Sequence, residues 1–483
     1  MIFSAMNRFA IVFVAVVCSS AFAQRDNVEV VEIFPSKRLQ TIEGFGASGA
    51  WWAQSIGNWP SEKRDKILGF LFSRKDGIGL TIYRYNIGAG SGDDIKDPWR
   101  SAETFEISQG SYDWTKDAAS RRVLEEVCEL GAERIILFAN SPPVRMTRSG
   151  YAYASPGAGP SNLRNDRYSQ YVVYLTDVAE YFIKQKKVPV YSVSPINEPQ
   201  WKWDTNKQEG CHYKPKEAAR LIKLMIEEVN RRKLDIKVDV PESGSWKRHE
   251  VMEENGREIK LDYLTALFED NTIRDNLDSY VLHSYWSKPE EKRVFSEFFY
   301  KTYPEKKLHM SEWCQMKGGR DYGMESALKL ANEIMDDLTI GKVSSWQYWI
   351  AVSKYNYRDG LVYVNDRART FRPTKRLWAM GNFSKFVRPG FRRLETANNL
   401  QGMKLLAVLS PDERTLVLVV INNTERSVDL KIKFPVELKF NEFVSVETSE
   451  RHDLSMSPPR PPMDYYTFSP ESITTVRLTR TND

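Results

Sequence analysis

Two short stretches of the chain end an apolar run on a carboxylate. "YSVSPINEPQW", residues 191–201, carries Glu198, and "KKLHMSEW", residues 306–313, carries Glu312. Tyr191, Val193 and Ile196 read as a buried strand. Pro199 has no N–H and disfavours helix at the residue before it, which places Glu198 in an extended or turn geometry at the strand end. Asn197 beside it can both donate and accept hydrogen bonds. A lone Asn-Glu-Pro is an ordinary surface turn or helix cap; the second strand-end glutamate makes it half of an acid/base pair. Two carboxyls about 5 to 5.5 Å apart suit glycoside hydrolysis with retention, one as nucleophile and one as acid/base, whereas about 6.5 to 9.5 Å leaves room for a water and gives inversion.

The elements around these acids must bring them together. Between residues 41 and 383 the chain alternates short apolar runs with longer helical patterns. The strand candidates are "TIEGFGAS", "GLTIYRYNIG", "ERIILFANSPP", "PVYSVSPINEP", "IKVDVPESGSW", "LDSYVLHSYW", "KKLHMSEW" and "VSSWQYWIAV". Stretches such as "ASRRVLEEVCELG" and "KEAARLIKLMIEEVNRR" supply the helices between them. Eight such units predict an α/β fold, a (β/α)8 TIM barrel over residues 41–383, with the acids on the fourth and seventh strands facing each other across its mouth. The polar and aromatic residues fall at the C-terminal ends of the runs, the face on which such barrels carry active sites. A doubly wound open sheet is the alternative, and no Gly-rich dinucleotide loop supports it.

From residue 384 to 483 the rhythm becomes all-β, with runs such as "TLVLVVINN" and "SITTVRLTR" separated by Asn, Asp and Pro turns. That spacing predicts a C-terminal β-sandwich. "NVEVVEIF", in the segment 24–40, alternates in the same way and is expected to join this sandwich as an N-terminal strand.

The first residues, "MIFSAMNRFAIVFVAVVCSSAFAQ", combine Arg8, a short apolar run and Ala21-Phe22-Ala23. This predicts a signal peptide over residues 1–23, and hence an exported chain, periplasmic or extracellular, with no membrane span. Lys and Arg number 69 against 64 Asp and Glu, and they are scattered rather than clustered, so a nucleic-acid partner is not expected. Of the four cysteines, Cys18 lies in the leader, and Cys128 shares an apolar helical stripe with Leu124 and Val127. Whether Cys211 and Cys314 pair is open from sequence. With His212 they make poor zinc spacing, and no metal or cofactor is expected.

Aromatic residues make up 12% of the chain, and Trp51, Trp52, Trp201, Trp203, Trp286, Trp313 and Trp349 gather at the strand ends. Indoles stack on the apolar C–H faces of sugars, so about half of these are expected to touch glycan. Asn86 and Asn140 are candidate readers of sugar hydroxyls, and His212 is a candidate loop contact.

"INEP" on the fourth strand and "SEW" on the seventh resemble the acid/base and nucleophile signatures of the retaining glycosidase clan built on (β/α)8 barrels. Barrel plus sandwich resembles glycoside hydrolase family 30. "EGFGASGAWWAQSIG", "YRYNIGAG" and "QEGCHY" look most like its endo-β-1,6-galactanase branch. The resemblance implies Glu198 as acid/base, Glu312 as nucleophile and Asn197 on the sugar 2-hydroxyl. It implies that Arg84 keeps the nucleophile ionised, and that Tyr285, or its rival His283, donates to it. Glu312 is then expected to be ionised, with its charge raising the pKa of Glu198. The implied partner is a β-linked glycan, galactan or arabinogalactan side chains. Other family 30 specificities are the alternatives (glucosylceramidase, β-1,6-glucanase, β-xylosidase or xylanase, β-fucosidase), as is an inactive glycan-binding protein.

Overall fold

The computed structural model describes residues 28–157, 161–254, 256–397, 399–433, 438–463 and 465–480. The leader expected over residues 1–23 lies outside them. Each of the eight strand candidates forms a strand of one parallel sheet. In order these are Gly44–Ser48, Ile82–Asn86, Arg134–Phe138, Val190–Ser194, a fifth in two pieces (Lys237–Val238 and Pro241–Ser243), Ser279–His283, Lys307–Glu312 and Ser345–Tyr348. The eighth pairs with the first, Ser345 with Gly44 through Tyr348 with Ala47. The two pieces of the fifth pair with the fourth and the sixth respectively. Between them Asp239 N donates to Val193 O at 3.0 Å, and Val281 N donates to Val240 O at 2.8 Å. The sheet is therefore closed into a barrel, and its strands are buried on both faces as all-parallel strands require.

The helices follow from pattern and caps. Ala118–Leu130 buries Val123, Leu124 and Val127 on one face and stops at Gly131, whose φ of 119° lets its N–H turn back onto the last carbonyls. Pro215–Arg232 starts with proline in its first turn, and Glu217 accepts from Lys214 N at 2.9 Å. Leu221, Ile222, Met225, Ile226 and Val229 form its buried stripe.

The C-terminal strands form one sheet of nine that folds over on itself. The bend falls between Arg392–Ala397 and Met403–Leu409, where only two residue pairs match. Leu405, Ala407, Leu409, Leu416, Leu418 and Val420 face Val31, Ile33, Leu430 and Tyr466 across the sandwich core. The alternate residues Leu406, Val408, Val417, Val419 and Ile421 face the other way and merge with the barrel's own core. This explains why "TLVLVVI" is apolar at every position: both faces of that layer are covered. The N-terminal strand, Glu29–Thr41, runs antiparallel to Arg392–Ala397 and parallel to Val428–Lys433, as expected of a strand completing the sandwich. No helix among the described residues is long and apolar enough to cross a membrane.

Candidate active site

Glu312 closes the seventh strand, and a register shift there pairs it with His283 while leaving Ser311 unmatched. Such a bulge re-aims the side chain beyond it, and here it turns the carboxylate into the barrel mouth. Glu198 sits four residues past the end of the fourth strand with φ at 42°, neither extended nor right-handed. Its N–H donates to Glu242 O at 2.9 Å, and its carbonyl accepts from Trp203 Nε1 at 2.9 Å. A side chain held in this backbone region costs about 1–3 kcal/mol, and the bonds on both sides of the residue hold it there. Trp286, also at the mouth, has φ at 51°.

The two acids meet. One oxygen of Glu198, one of Glu312 and a ring nitrogen of His283 all lie within 4.8 Å of one another. Arg84, fully buried on the second strand, donates through Nη1 to Glu312 Oε2 at 3.0 Å and through Nη2 to Asn197 Oδ1 at 3.4 Å. Tyr285 donates its hydroxyl to Glu312 Oε1 at 3.0 Å. His283 faces Glu198 Oε1 through Nδ1 at 3.2 Å and Glu242 Oε2 through Nε2 at 3.0 Å. Tyr285 and His283 were rivals for one role; the structure gives each its own carboxylate.

Burial pushes the Glu312 pKa up, while the charges of His283 and Arg84 pull it down and Glu198 adds to the rise. The expectation that Arg84 simply leaves Glu312 ionised omitted this desolvation, which the cations and the Tyr285 hydroxyl must offset. Burial alone would lower His283; the charge of Glu312 and the hydrogen bonds to Glu198 and Glu242 outweigh it and raise it to about 9. Burial first, then Glu312, pushes Tyr285 well up, so it stays a neutral donor. Glu198, His283 and Glu312 offer three atoms close enough for a metal ion. An imidazole with a carboxylate at each nitrogen acts as a donor to both, and Arg84 already meets Glu312, so the set fits acid/base chemistry better than ligation.

The carboxylates open into a cavity of about 430 Å³. Of the residues expected at the substrate, Trp51, Asn140, Asn197, Tyr285 and Trp349 line it with the two acids. Trp51 and Trp349 pack edge to face at 5.1 Å. Other expected contacts lie elsewhere. Trp52 is fully buried and donates Nε1 to Ser48 O at 2.8 Å. Trp313 packs in the core against Trp346 and Tyr348. His212 is buried behind the site with Nδ1 2.5 Å from Pro199 O. Asn86 stands one layer back, accepting from Asn140 Nδ2 at 3.2 Å. Trp201 lies at the rim, 44% exposed, edge to face with Trp286, which lines the cavity and is 59% exposed. A strand-end position does not say which way a ring points, and that is why these assignments differ. Sequence reasoning missed Arg100, Gln208, Tyr355, Asn356, Tyr357 and Asp359 as cavity residues, and Glu242 beneath it. Only the repeat of a strand-end acid in "VPESGSW" could have flagged Glu242. Cys211 and Cys314 are buried free thiols. A larger cavity, of about 700 Å³ and lined by Arg74, Arg388 and Arg477 among others, lies away from this network.

The family model described as O-glycosyl hydrolase family 30 matches residues 28–363. An endo-β-1,6-galactanase from Hypocrea rufa is 32% identical over 244 residues, covering 44% of this chain and 49% of that protein, about half its length. A glucuronoxylanase from Bacillus subtilis is 22% identical over 406 residues, covering 81% of this chain and 77% of that one. The crystal structure of a conserved exported protein from Bacteroides fragilis superposes with a TM-score of 0.83 at 24% identity, covering 93% of this chain and all of that one.

Proposed function

The chain belongs to O-glycosyl hydrolase family 30, and from that premise we propose that it is a retaining hydrolase of β-linked glycans. The observation that carries the mechanism is the approach of Glu198 and Glu312 to within 4.8 Å, each oriented by its own buried donors. In the first step a Glu312 oxygen bonds to the anomeric carbon as the glycosidic C–O bond breaks, and Glu198 gives its proton to the leaving oxygen. In the second, Glu198 takes a proton from water, whose oxygen bonds to the same carbon and releases Glu312. Arg84 and Tyr285 hold Glu312 on line. Asn197, fixed by Arg84, is positioned for the 2-hydroxyl, a contact that strengthens as positive charge builds on the ring.

The finer reading is an endo-β-1,6-galactanase acting on galactan or arabinogalactan side chains. It is supported by the partial match to the fungal galactanase, and by a cavity that pairs indoles with hydroxyl-reading groups. The apolar face of galactose can stack on Trp51 or Trp349, while Asn140 and Asp359 offer partners for its hydroxyls. The leader-like first residues and the likeness to an exported protein support export to the periplasm or medium. An unmatched buried hydroxyl costs about 1–3 kcal/mol, so purified enzyme should cut β-1,6-galacto-oligosaccharides at least about tenfold faster than β-1,6-gluco-oligosaccharides. Equal rates, or release of reducing sugar only from xylan or a glucosyl lipid, would remove the galactan reading and leave another family specificity. No release from any β-glycan would leave a glycan-binding protein.

A further inference from the structure

A third carboxylate lies beneath the pair, and neither chemical step uses it. Glu242 is fully buried and does not line the cavity. Val281 pairs with Pro241 and Leu282 with Ser243, so Glu242 is the extra residue of a bulge on the fifth strand. Its φ is 59°, a second non-glycine held in the left-handed region beside the site. Its Oε1 accepts from Ser194 Oγ at 2.9 Å. Its Oε2 accepts from Ser311 Oγ, stands 3.0 Å from His283 Nε2 and lies 3.5 Å from Arg84 Nη2.

His283 thus has a carboxylate at each nitrogen, Glu198 at Nδ1 and Glu242 at Nε2, with Glu312 Oε1 3.8 Å from Nδ1. An imidazole that donates at both nitrogens must carry both protons. The other ionisable groups facing this cluster are Arg84 from the second strand, Tyr285 beyond the sixth, and Asp239 on the fifth, whose own pKa burial raises to about 6.

The charges can then be counted through the reaction. At the start Glu242 and Glu312 are negative, Arg84 and His283 positive, and Glu198 holds its proton. In the covalent intermediate Glu312 is an ester, and Glu198 and Glu242 are negative against the same two cations. Both states are neutral. Without Glu242 both would hold an uncompensated buried positive charge, which costs several kcal/mol in a protein interior.

We infer that Glu242 is a positioning residue that keeps His283 doubly protonated, so that the imidazolium orients Glu198 and the buried site stays neutral in both halves of the reaction. The inference rests on the roles read above for Glu198 and Glu312. Burial raises the Glu242 pKa, but Arg84 and His283 outweigh it and hold it near 2, consistent with a standing negative charge.

The test is nitrogen-detected NMR of the whole enzyme labelled at its five histidines, with His283 assigned by its loss in His283→Asn. Wild type should show both His283 nitrogens protonated at pH 7. Glu242→Gln keeps the shape but not the charge, and should lower the His283 midpoint by about one pH unit or more. It should shift the alkaline limb of kcat/KM down with it, and should lower kcat more than it raises KM. Glu242→Asp, which keeps the charge, should hold the midpoint within about half a unit of wild type. A neutral His283 in wild type at pH 7 overturns the inference even if no variant folds, as does an unmoved midpoint in Glu242→Gln. The NMR result does not depend on turnover, so an enzyme inactive on every glycan would sink the functional reading without deciding this one.

Discussion

Replacing Glu198 by alanine separates its two jobs. As an acid it gives a proton to the leaving oxygen, and positioned general acids are worth roughly 10²–10⁴ in rate, or about 3–5 kcal/mol of barrier. That loss should appear in full on a natural glycan, whose leaving alcohol needs the proton. On an aryl glycoside with a strongly acidic phenol the leaving group departs unaided, and the first step should slow by less than about tenfold. The second step still lacks its base, so the covalent intermediate should accumulate and produce a burst of phenol. The structure says what can restore it. Glu198 is the acceptor nearest His283 Nδ1, at 3.2 Å, and the next, Glu312 Oε1, is 3.8 Å away. Truncation therefore opens an anion-sized space beside a cation, and azide should enter it and attack the intermediate from that side. Stopped-flow phenol release would read the burst, and proton NMR of the product its configuration. Azide should speed steady-state turnover and give the β-glycosyl azide. An α-azide, or an equal loss on natural and aryl substrates, would refute the assignment of Glu198 and with it the retaining mechanism.

Three further outcomes follow from the same geometry. A 2-deoxy-2-fluoro glycoside with a good leaving group should label Glu312 alone, seen by mass spectrometry of the peptide around "SEW"; a label on Glu198 or Glu242 would reverse the roles. His283, at about 9 against an ordinary 6.5, contributes stability that is complete below pH 6.5 and lost as the pH rises through 9. Glu242, near 2 against 4.5, contributes above pH 4.5 and loses it as the pH falls through 2. Urea midpoints should thus be highest between pH 4.5 and 6.5, with the alkaline slope flattened in His283→Asn; a wild-type midpoint level from pH 6.5 to 9 would contradict it. Gly46→Ala on the first barrel strand would set its Cβ 2.5 Å from Ile82 O, and should cost about 1–3 kcal/mol in equilibrium unfolding; a neutral result would mean that the barrel yields there.

Much of this was legible because barrel strands announce themselves twice, by an apolar run and by the polar residues at its end. All eight strands and the two facing glutamates could be read that way, and the family resemblance drawn from their motifs agrees with the family model. What escaped reading depends on departures from regular strands. The bulges at Ser311 and Glu242 shift side chains by a fraction of a residue, and no alternation rule registers that. "RRLETA", the strand Arg392–Ala397, is too polar to stand out and is held by its partners on the sheet. Trp52, Trp313 and His212 have the composition of binding residues but are turned inward by backbone that only the full chain defines. Tyr355 and Asp359 reach the cavity from beyond the eighth strand, a convergence that local sequence does not encode.

The strand Glu29–Thr41 has a consequence in time as well as space. It precedes the whole barrel in the chain, yet its partners, Arg392–Ala397 and Val428–Lys433, are made almost last. During synthesis it must wait, unpaired, while eight βα units are laid down, and the contacts it closes are among the most distant in the sequence. Loops that long close slowly, and the exposed edge is open to wrong partners meanwhile. The barrel helices that lie against the doubly covered layer stay bare until the same moment. The sandwich should act as a late clasp, with full protection of the barrel's outer helices from hydrogen exchange arriving only when the first strand of the chain finds the last part made.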